Sequence, residues 1–392
     1  MVNIRVLSTV LALSAIGSNA AASVTAMFSP DGGVKDAIVE QLGAAKRRID
    51  VAMYSFSDTG IQNSLIEAAK RGVAIRLILD DARKRAAIAD KMEENGIDVR
   101  YIIPVMHHKF AVIDGPRGGQ SVSSNARLIT GSANWSSKSD SSYDEDFLIF
   151  AEEDEKLISY QSEFDHLWFH AREYGQSTGN ESDPVERTLD SSTVFTSYNF
   201  DIVESRGNWS FRAMVEAHEG VAGKTVVEAM DGAKKSIKVA TTHLRRRDFY
   251  DALLAAHQRG VAVALILDQQ EFRSGSAAIE ESDLYYEESL AEAGVDVRYK
   301  VYMMKWDASR ASQMHSKYMI VDGKKVLAGS FNWSANSEVG SIENLNILKG
   351  DVAKDYLANF DKILSYGGDG AFESLLDQVK AESGNGPCSF EP

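Results

Sequence analysis

Short apolar runs alternate with amphipathic stretches along most of the chain. Residues 34 to 47 carry apolar positions at helical spacing, and Ile49 to Tyr54 after them is a short β-prone run. Ile61 to Lys70 is helical again, with Arg71 and Gly72 as its stop signal. Ile75 to Leu79 reads as a buried strand from its apolar content. Leu128 to Thr130 and Phe147 to Phe150 are expected to complete a sheet. Glu152 to His170 is expected as a long amphipathic helix ending in Leu167, Trp168 and Phe169. Strands alternating with helices make the class α/β, with mixed sheets covered on both faces.

The whole pattern occurs twice. Residues 45 to 52 answer to 233 to 240, residues 71 to 80 to 259 to 268, and residues 96 to 101 to 294 to 299. The second copy carries insertions near 270–290 and 303–314, and the first carries one from Gly115 to Thr130. The expected division is a first domain at 23–172, a linker at 173–215, a second domain at 216–376 and a loose tail at 377–392. The linker is rich in Ser, Thr, Asn and Asp, and Val194 to Phe200 within it could form one strand.

One stretch in each copy carries chemistry. His107, Lys109 and Asp114 are followed by Gly131, Ser132, Asn134 and Trp135. His315, Lys317 and Asp322 are followed by Gly329, Ser330, Asn332 and Trp333. Phe110 to Ile113 and Tyr318 to Val321 are apolar and β-prone, so each His and Lys should sit on a buried strand. With period two, His107 and Lys109 share a face and His108 points the other way, as a satisfied core residue would. An imidazole beside a fixed ammonium suits a nucleophile or proton shuttle working on an anion. His166, His170, His218, His243 and His257 have no motif context and read as surface or helix-packing residues. Trp135 and Trp333 read as core or pocket-wall aromatics.

At these motifs the chain resembles the phospholipase D superfamily, named for the duplicated His-Lys-Asp pattern. The resemblance covers both halves. It implies two similar phospholipase D-like domains, related by a pseudo-twofold, with one shared active site. A phosphodiester repels a nucleophile, so lysines on its oxygens must offset that charge. One histidine attacks phosphorus to form a phosphohistidine, and the other protonates the leaving oxygen and later activates water or an alcohol. The resemblance assigns Lys109 and Lys317 to the phosphate, with Ser132, Asn134, Ser330 and Asn332 lining it. It places an acid after each Gly-Ser, here Glu145 and Glu343, expected on the far nitrogen of an imidazole. Asp114 and Asp322 are expected to be structural, and His107 is the nucleophile by analogy. The scheme requires no metal and no cofactor.

Composition narrows the setting. Hydrophobic content of 44% and charged content of 25% are those of a soluble globular protein. Met1 to Arg5 are basic, Val6 to Gly17 small and apolar, and Ala20 to Ala22 offer a cleavage site, so residues 1–22 read as a signal peptide. Secreted or periplasmic localisation follows as an expectation. The single cysteine, Cys388, allows no internal disulfide. A formal charge of −15 argues against broad affinity for nucleic acid but leaves room for a local basic groove.

Tyr302, Met303, Met304 and Trp306 precede His315 and suit an apolar rim for lipid as well as ordinary core. Arg245 to Arg247 suit a phosphate contact or a solvated basic turn. The expected function is a secreted, monomeric phospholipase D that hydrolyses phospholipid headgroups, or transfers the phosphatidyl group to an alcohol, in transient contact with a membrane surface. The alternative is a metal-independent nuclease of the same superfamily. A vestigial site is disfavoured, because both copies keep the full set of His, Lys, Ser, Asn and Glu.

Overall fold

The computed structural model describes residues 23–81, 85–102, 105–151, 154–175, 187–205, 208–213, 220–268, 286–300 and 313–365. The expected signal peptide at 1–22, the expected rim residues Tyr302 to Trp306, His218, Cys388 and the 377–392 tail lie outside these residues.

In the first half the strands are β1 (Ser23–Ser29), β2 (Arg48–Met53), β3 (Ala74–Asp80), β4 (Asp98–Ile102), β5 (Val105–Met106), β6 (Lys109–Ile113), β7 (Arg127–Gly131), β8 (Tyr143–Ala151) and β9 (Arg172–Glu173). Their sheet runs β1-β8-β7-β6-β2-β3-β4-β9, and β5 stands outside it. The parallel run β2, β3, β4 needs crossovers, which the helices Thr59–Lys70 and Ala86–Glu93 supply. The remaining neighbours are antiparallel, so the sheet is mixed.

The second half repeats the plan with β10 (Thr193–Phe195), β13 (Ser236–Thr241), β14 (Ala262–Asp268), β15 (Asp296–Lys300), β17 (Lys317–Val321), β18 (Lys325–Gly329) and β20 (Asn344–Lys349). The order is β10-β20-β18-β17-β13-β14-β15. Strands β11 (Phe200–Ser205) and β12 (Asn208–Ala213) form a separate hairpin, and β16 (Gln313–Met314) and β19 (Ser341–Ile342) join the halves. Each motif strand, β6 and β17, is buried along its whole length, as its apolar run requires.

Among the described residues the core has three parts. One lies under the outer helices of each sheet, and a third fills the space between the two sheets. That shared core takes Phe110, Leu128 and Phe150 from one sheet and Tyr318, Ile320 and Val326 from the other. Between them lie Tyr160 and Phe164 of helix Asp154–His170 and Tyr356 and Phe360 of helix Val352–Ser365.

Three features depart from the sequence reading. β1 occupies the sheet edge ahead of the first helix, where no strand was expected. The strand expected within the linker is β10, but it belongs to the second domain's sheet as an edge strand, with Thr193 and Phe195 buried and pairing to β20. β10 therefore stands where β1 stands in the first half. The helix beginning at Val34 ends at Ala44, because the Asp114 carboxylate accepts hydrogen bonds from the backbone N–H groups of Lys46, Arg47 and Arg48 at 2.9, 2.7 and 3.1 Å. That grip turns the chain into β2. Asp322 grips Lys234, Lys235 and Ser236 in the same way. Both aspartates sit at positive φ, 52° and 53°, in the turn that ends the motif strand.

Candidate active site

The two halves exchange short strands where the catalytic residues begin. β5 pairs with β19, and β16 pairs with β8, both parallel. His107 N–H then donates to the Ile342 carbonyl and His315 N–H to the Asp144 carbonyl, each at 2.9 Å. Each histidine is thus held by backbone of the opposite half. On one side the mirror-related pair Ile102 and Ile342 is apolar, and on the other Lys300 and Asp144 form a buried ion pair.

The carboxylates are crossed. His107 Nδ1 lies 2.8 Å from Glu343 Oε2, and His315 Nδ1 lies 2.8 Å from both oxygens of Glu145. Each half therefore orients the histidine of the other. A carboxylate on Nδ1 holds the proton there and leaves Nε2 free to face a substrate. Both glutamates are fully buried.

The serines are carboxylate partners. Ser132 Oγ donates to Glu145 at 2.7 Å and Ser330 Oγ to Glu343 at 2.6 Å, and both serines are fully buried. Their oxygens in turn accept the Asp146 and Asn344 backbone N–H. The preceding glycines make this possible, since a Cβ on Gly131 or Gly329 would collide with the backbone carbonyl of Asp146 or Asn344. Asn134 and Asn332 follow in half-buried positions. The Asn134 side-chain oxygen is buried without a hydrogen-bond partner among the described residues, and a half-turn of the amide would offer its N–H₂ there instead.

Two lysines complete the floor. Lys109 Nζ donates to the His107 carbonyl at 2.7 Å, and Lys317 Nζ donates to the His315 carbonyl. Burial pushes Lys109 down to about 7 and lowers Lys317 as well. Burial dominates both shifts against the pull of Glu145 and Glu343, and two cations held side by side suit an anionic ligand. Burial, then the charges of Lys109 and Lys317, holds His107 well below its ordinary value. Burial also lowers His315, but there the Glu145 carboxylate opposes the shift. Burial raises Glu343 to about 7, against the pull of Lys109.

Flanking residues differ between the two sides. The Tyr54 ring packs edge-on against His107 with centroids 4.6 Å apart, and Lys109 Nζ lies 5.0 Å over the same ring. The Tyr143 ring lies 5.9 Å from His315. His243, expected at the surface or in helix packing, instead lies where the charges of Lys317, His315 and His107 act on it. His108 is a core residue, with Nε2 3.3 Å from Glu163 and Nδ1 3.0 Å from the Asn344 amide. Trp135 and Trp333 are buried against Phe56 and Phe249. Arg246 is also structural, ion-paired inside the fold to Glu338 and Asp248, whereas Arg247 pairs with Asp251 at the surface.

The family described as "Cardiolipin synthase, PLD-like domain" matches residues 38–168 and again 226–364, together more than half of the chain. Among curated proteins, a mitochondrial cardiolipin hydrolase of Chlamydomonas reinhardtii is 33% identical over 135 residues, 33% of this chain and 55% of that protein. A phospholipase D of Rickettsia prowazekii is 30% identical over 139 residues, 34% of this chain and 62% of that protein. The matched stretch thus spans little more than half the length of these relatives. The crystal structure of phosphatidylserine synthase from Haemophilus influenzae superposes with a TM-score of 0.60 at 14% identity, covering 87% of this chain and 86% of that one. Polyphosphate kinase from Porphyromonas gingivalis superposes with a TM-score of 0.59 at 15% identity, over 87% of this chain and 50% of that one. At such identities the two superpositions speak for the fold alone.

Proposed function

Because the chain belongs to the cardiolipin synthase, PLD-like domain family, we propose that it is a phosphodiesterase that cleaves phospholipid headgroups through a phosphohistidine. One observation carries the reading. The crossed His107–Glu343 and His315–Glu145 pairs hold two imidazoles near enough for their charges to act on each other, beside two lysines, each ring with its Nε2 unclaimed by a carboxylate.

In the first step the His107 Nε2 lone pair attacks phosphorus, and the bond from phosphorus to the headgroup oxygen breaks. His315 gives its Nε2 proton to that oxygen, and the headgroup alcohol leaves. In the second step His315 takes a proton from water, which attacks phosphorus and releases His107. An acceptor alcohol in place of water gives transfer instead of hydrolysis. Glu343 stabilises the positive charge that develops on His107, and Lys109 and Lys317 stabilise the charge on the phosphoryl oxygens. The assignment of His107 as nucleophile is favoured by the stronger lowering of its pKa, which keeps the ring neutral.

Lipid is favoured over nucleic acid by the formal charge of −15 and by the names of the curated relatives. Residues 1–22 favour export, so the enzyme would work outside the cytoplasm as a monomer in transient contact with a membrane surface. Among the described residues no helix is long and apolar enough to cross a membrane. The test presents mature protein with vesicles containing phosphatidylglycerol and cardiolipin, and separately with single-stranded DNA, chelator being present in both. Release of headgroup from vesicles is expected. Cleavage of DNA with vesicles untouched would overturn the lipid reading, and loss of activity to chelator would overturn the two-histidine chemistry.

A further inference from the structure

The site is built from two mirror-related sets, yet one histidine must attack while the other handles the departing alcohol. The His, Lys, Ser and Glu of the two sets are alike, so the division of labour comes from what surrounds them. Two residues before each histidine, Val105 pairs with Ser341 and Gln313 with Tyr143. Ser341 and Tyr143 are therefore mirror positions, each two residues ahead of its glutamate. Their backbone is held alike. Thr196 Oγ1 donates to the Ser341 carbonyl at 2.8 Å, and Ser29 Oγ donates to the Tyr143 carbonyl at 2.7 Å. The side chains differ.

Ser341 is buried, and its hydroxyl donates to Glu343 Oε1 at 3.1 Å. The Asn336 carbonyl lies farther from that hydroxyl, at 3.3 Å, and is uncharged, so the carboxylate takes the proton. Glu343 Oε2 is left to the His107 ring and the Ser330 hydroxyl. Glu145 instead turns both oxygens to His315, each 2.8 Å from Nδ1, with Ser132 also on Oε2. Tyr143 directs a ring toward His315, 5.9 Å away, in place of a short hydroxyl. A hydroxyl donated to a carboxylate stabilises the ionised form and weakens it as a proton acceptor. Burial raises Glu343 to about 7, against Lys109 and the Ser330 and Ser341 hydroxyls.

We infer that Ser341 is the positioning residue that commits His107 to attack. Its hydroxyl keeps Glu343 ionised, with one oxygen on the ring. His107 thus stays an unprotonated nucleophile whose developing charge meets a full carboxylate. On the other side both Glu145 oxygens hold the Nδ1 proton of His315, which favours the imidazolium that an acid needs. The inference deepens the proposed two-histidine chemistry and rests on it, whatever the alcohol of the substrate.

The test is the pH profile of kcat/KM on bis(p-nitrophenyl) phosphate, whose leaving group needs no acid. Its acid limb then reports the His107–Glu343 pair. Lys109, Lys317 and His315 face His107, and Lys109 and His108 face Glu343. All of them are common to wild type and variants. Ser341→Ala should move the limb up by about half to one pH unit, the scale of one hydrogen bond to a charged group. Its rate should fall below wild type at low pH and approach it as pH rises. Ser341→Thr keeps the hydroxyl and should keep the wild-type limb. Tyr143→Ser alters the His315 side and should leave the limb in place. A pH-independent loss in Ser341→Ala, an unmoved limb, or the same shift in Tyr143→Ser would overturn the inference. Wild-type protein that cleaves this substrate but no vesicle would overturn the lipid reading alone. Wild-type protein that does not cleave it would overturn the phosphodiesterase chemistry, and the inference with it.

Discussion

Replacing Glu343 by Gln separates the charge of the crossed carboxylate from its shape. Glu343 Oε2 takes the His107 ring and the Ser330 hydroxyl, at 2.8 and 2.6 Å, while Oε1 takes the Ser341 hydroxyl at 3.1 Å. Glutamine can keep its oxygen toward His107 and Ser330. Its N–H₂ then meets Ser341, whose hydroxyl can turn to accept. Geometry is retained, and what disappears is one negative charge beside the imidazolium that forms when His107 bonds phosphorus. With about 4 Å between the charges and an effective dielectric near 20, that interaction is worth about 4 kcal/mol. This corresponds to about a thousand-fold in rate.

The retained hydrogen bond returns part of this loss, so kcat should fall about 100- to 1000-fold with KM nearly unchanged. A second readout has a definite sign. Burial raises Glu343 to about 7 in the folded protein, above its unfolded value. The stability this group confers is therefore complete below the unfolded value and is lost as pH rises toward 7. Glutamine removes that loss, so the melting temperature of the variant relative to wild type should climb between about pH 5 and pH 8. A fall in kcat of less than about 5-fold, or a variant that melts progressively lower than wild type as pH rises, would refute the reasoning.

Two other perturbations probe separate parts of the account. Lys109→Ala should lower kcat by roughly 100- to 1000-fold on vesicles and on bis(p-nitrophenyl) phosphate alike, because it removes phosphoryl stabilisation common to both; an effect confined to vesicles would contradict this. Asp114→Ala strips acceptors from three backbone N–H groups and should cost roughly 2–4 kcal/mol of stability by denaturant unfolding, with kcat of the folded fraction little changed.

Much of the scaffold was legible because its signals are local. β6 and β17 follow from five-residue buried runs, and the repeat exposes every major element twice. The crossing of the glutamates was not legible. The spacing from Ser132 to Glu145 is the same whether Glu145 serves its own histidine or the other half's, and only assembly of the halves through β5–β19 and β16–β8 decides. The partners of the serines were not legible for a related reason. Gly-Ser in sequence does not say what the hydroxyl meets, and here the glycine serves close strand packing, which delivers the hydroxyl to a carboxylate. β1 follows immediately on a run of small and apolar residues and has no turn signal to set it apart. Ser341 belongs to no motif, and comparison with Tyr143 across the repeat was the one signal that could have marked it.

The most direct test of the central claim is to trap the covalent intermediate. p-Nitrophenolate departs without help from an acid, so His315→Ala should still be attacked onto bis(p-nitrophenyl) phosphate through His107. Having no base to activate water, the variant should then stall. Intact mass spectrometry and peptide mapping after a neutral quench should find one phosphoryl adduct per chain, on His107, together with a stoichiometric burst of p-nitrophenolate. His107→Ala should give neither burst nor adduct. An adduct on His315 in the His107→Ala protein, or steady turnover without an adduct in His315→Ala, would contradict the account.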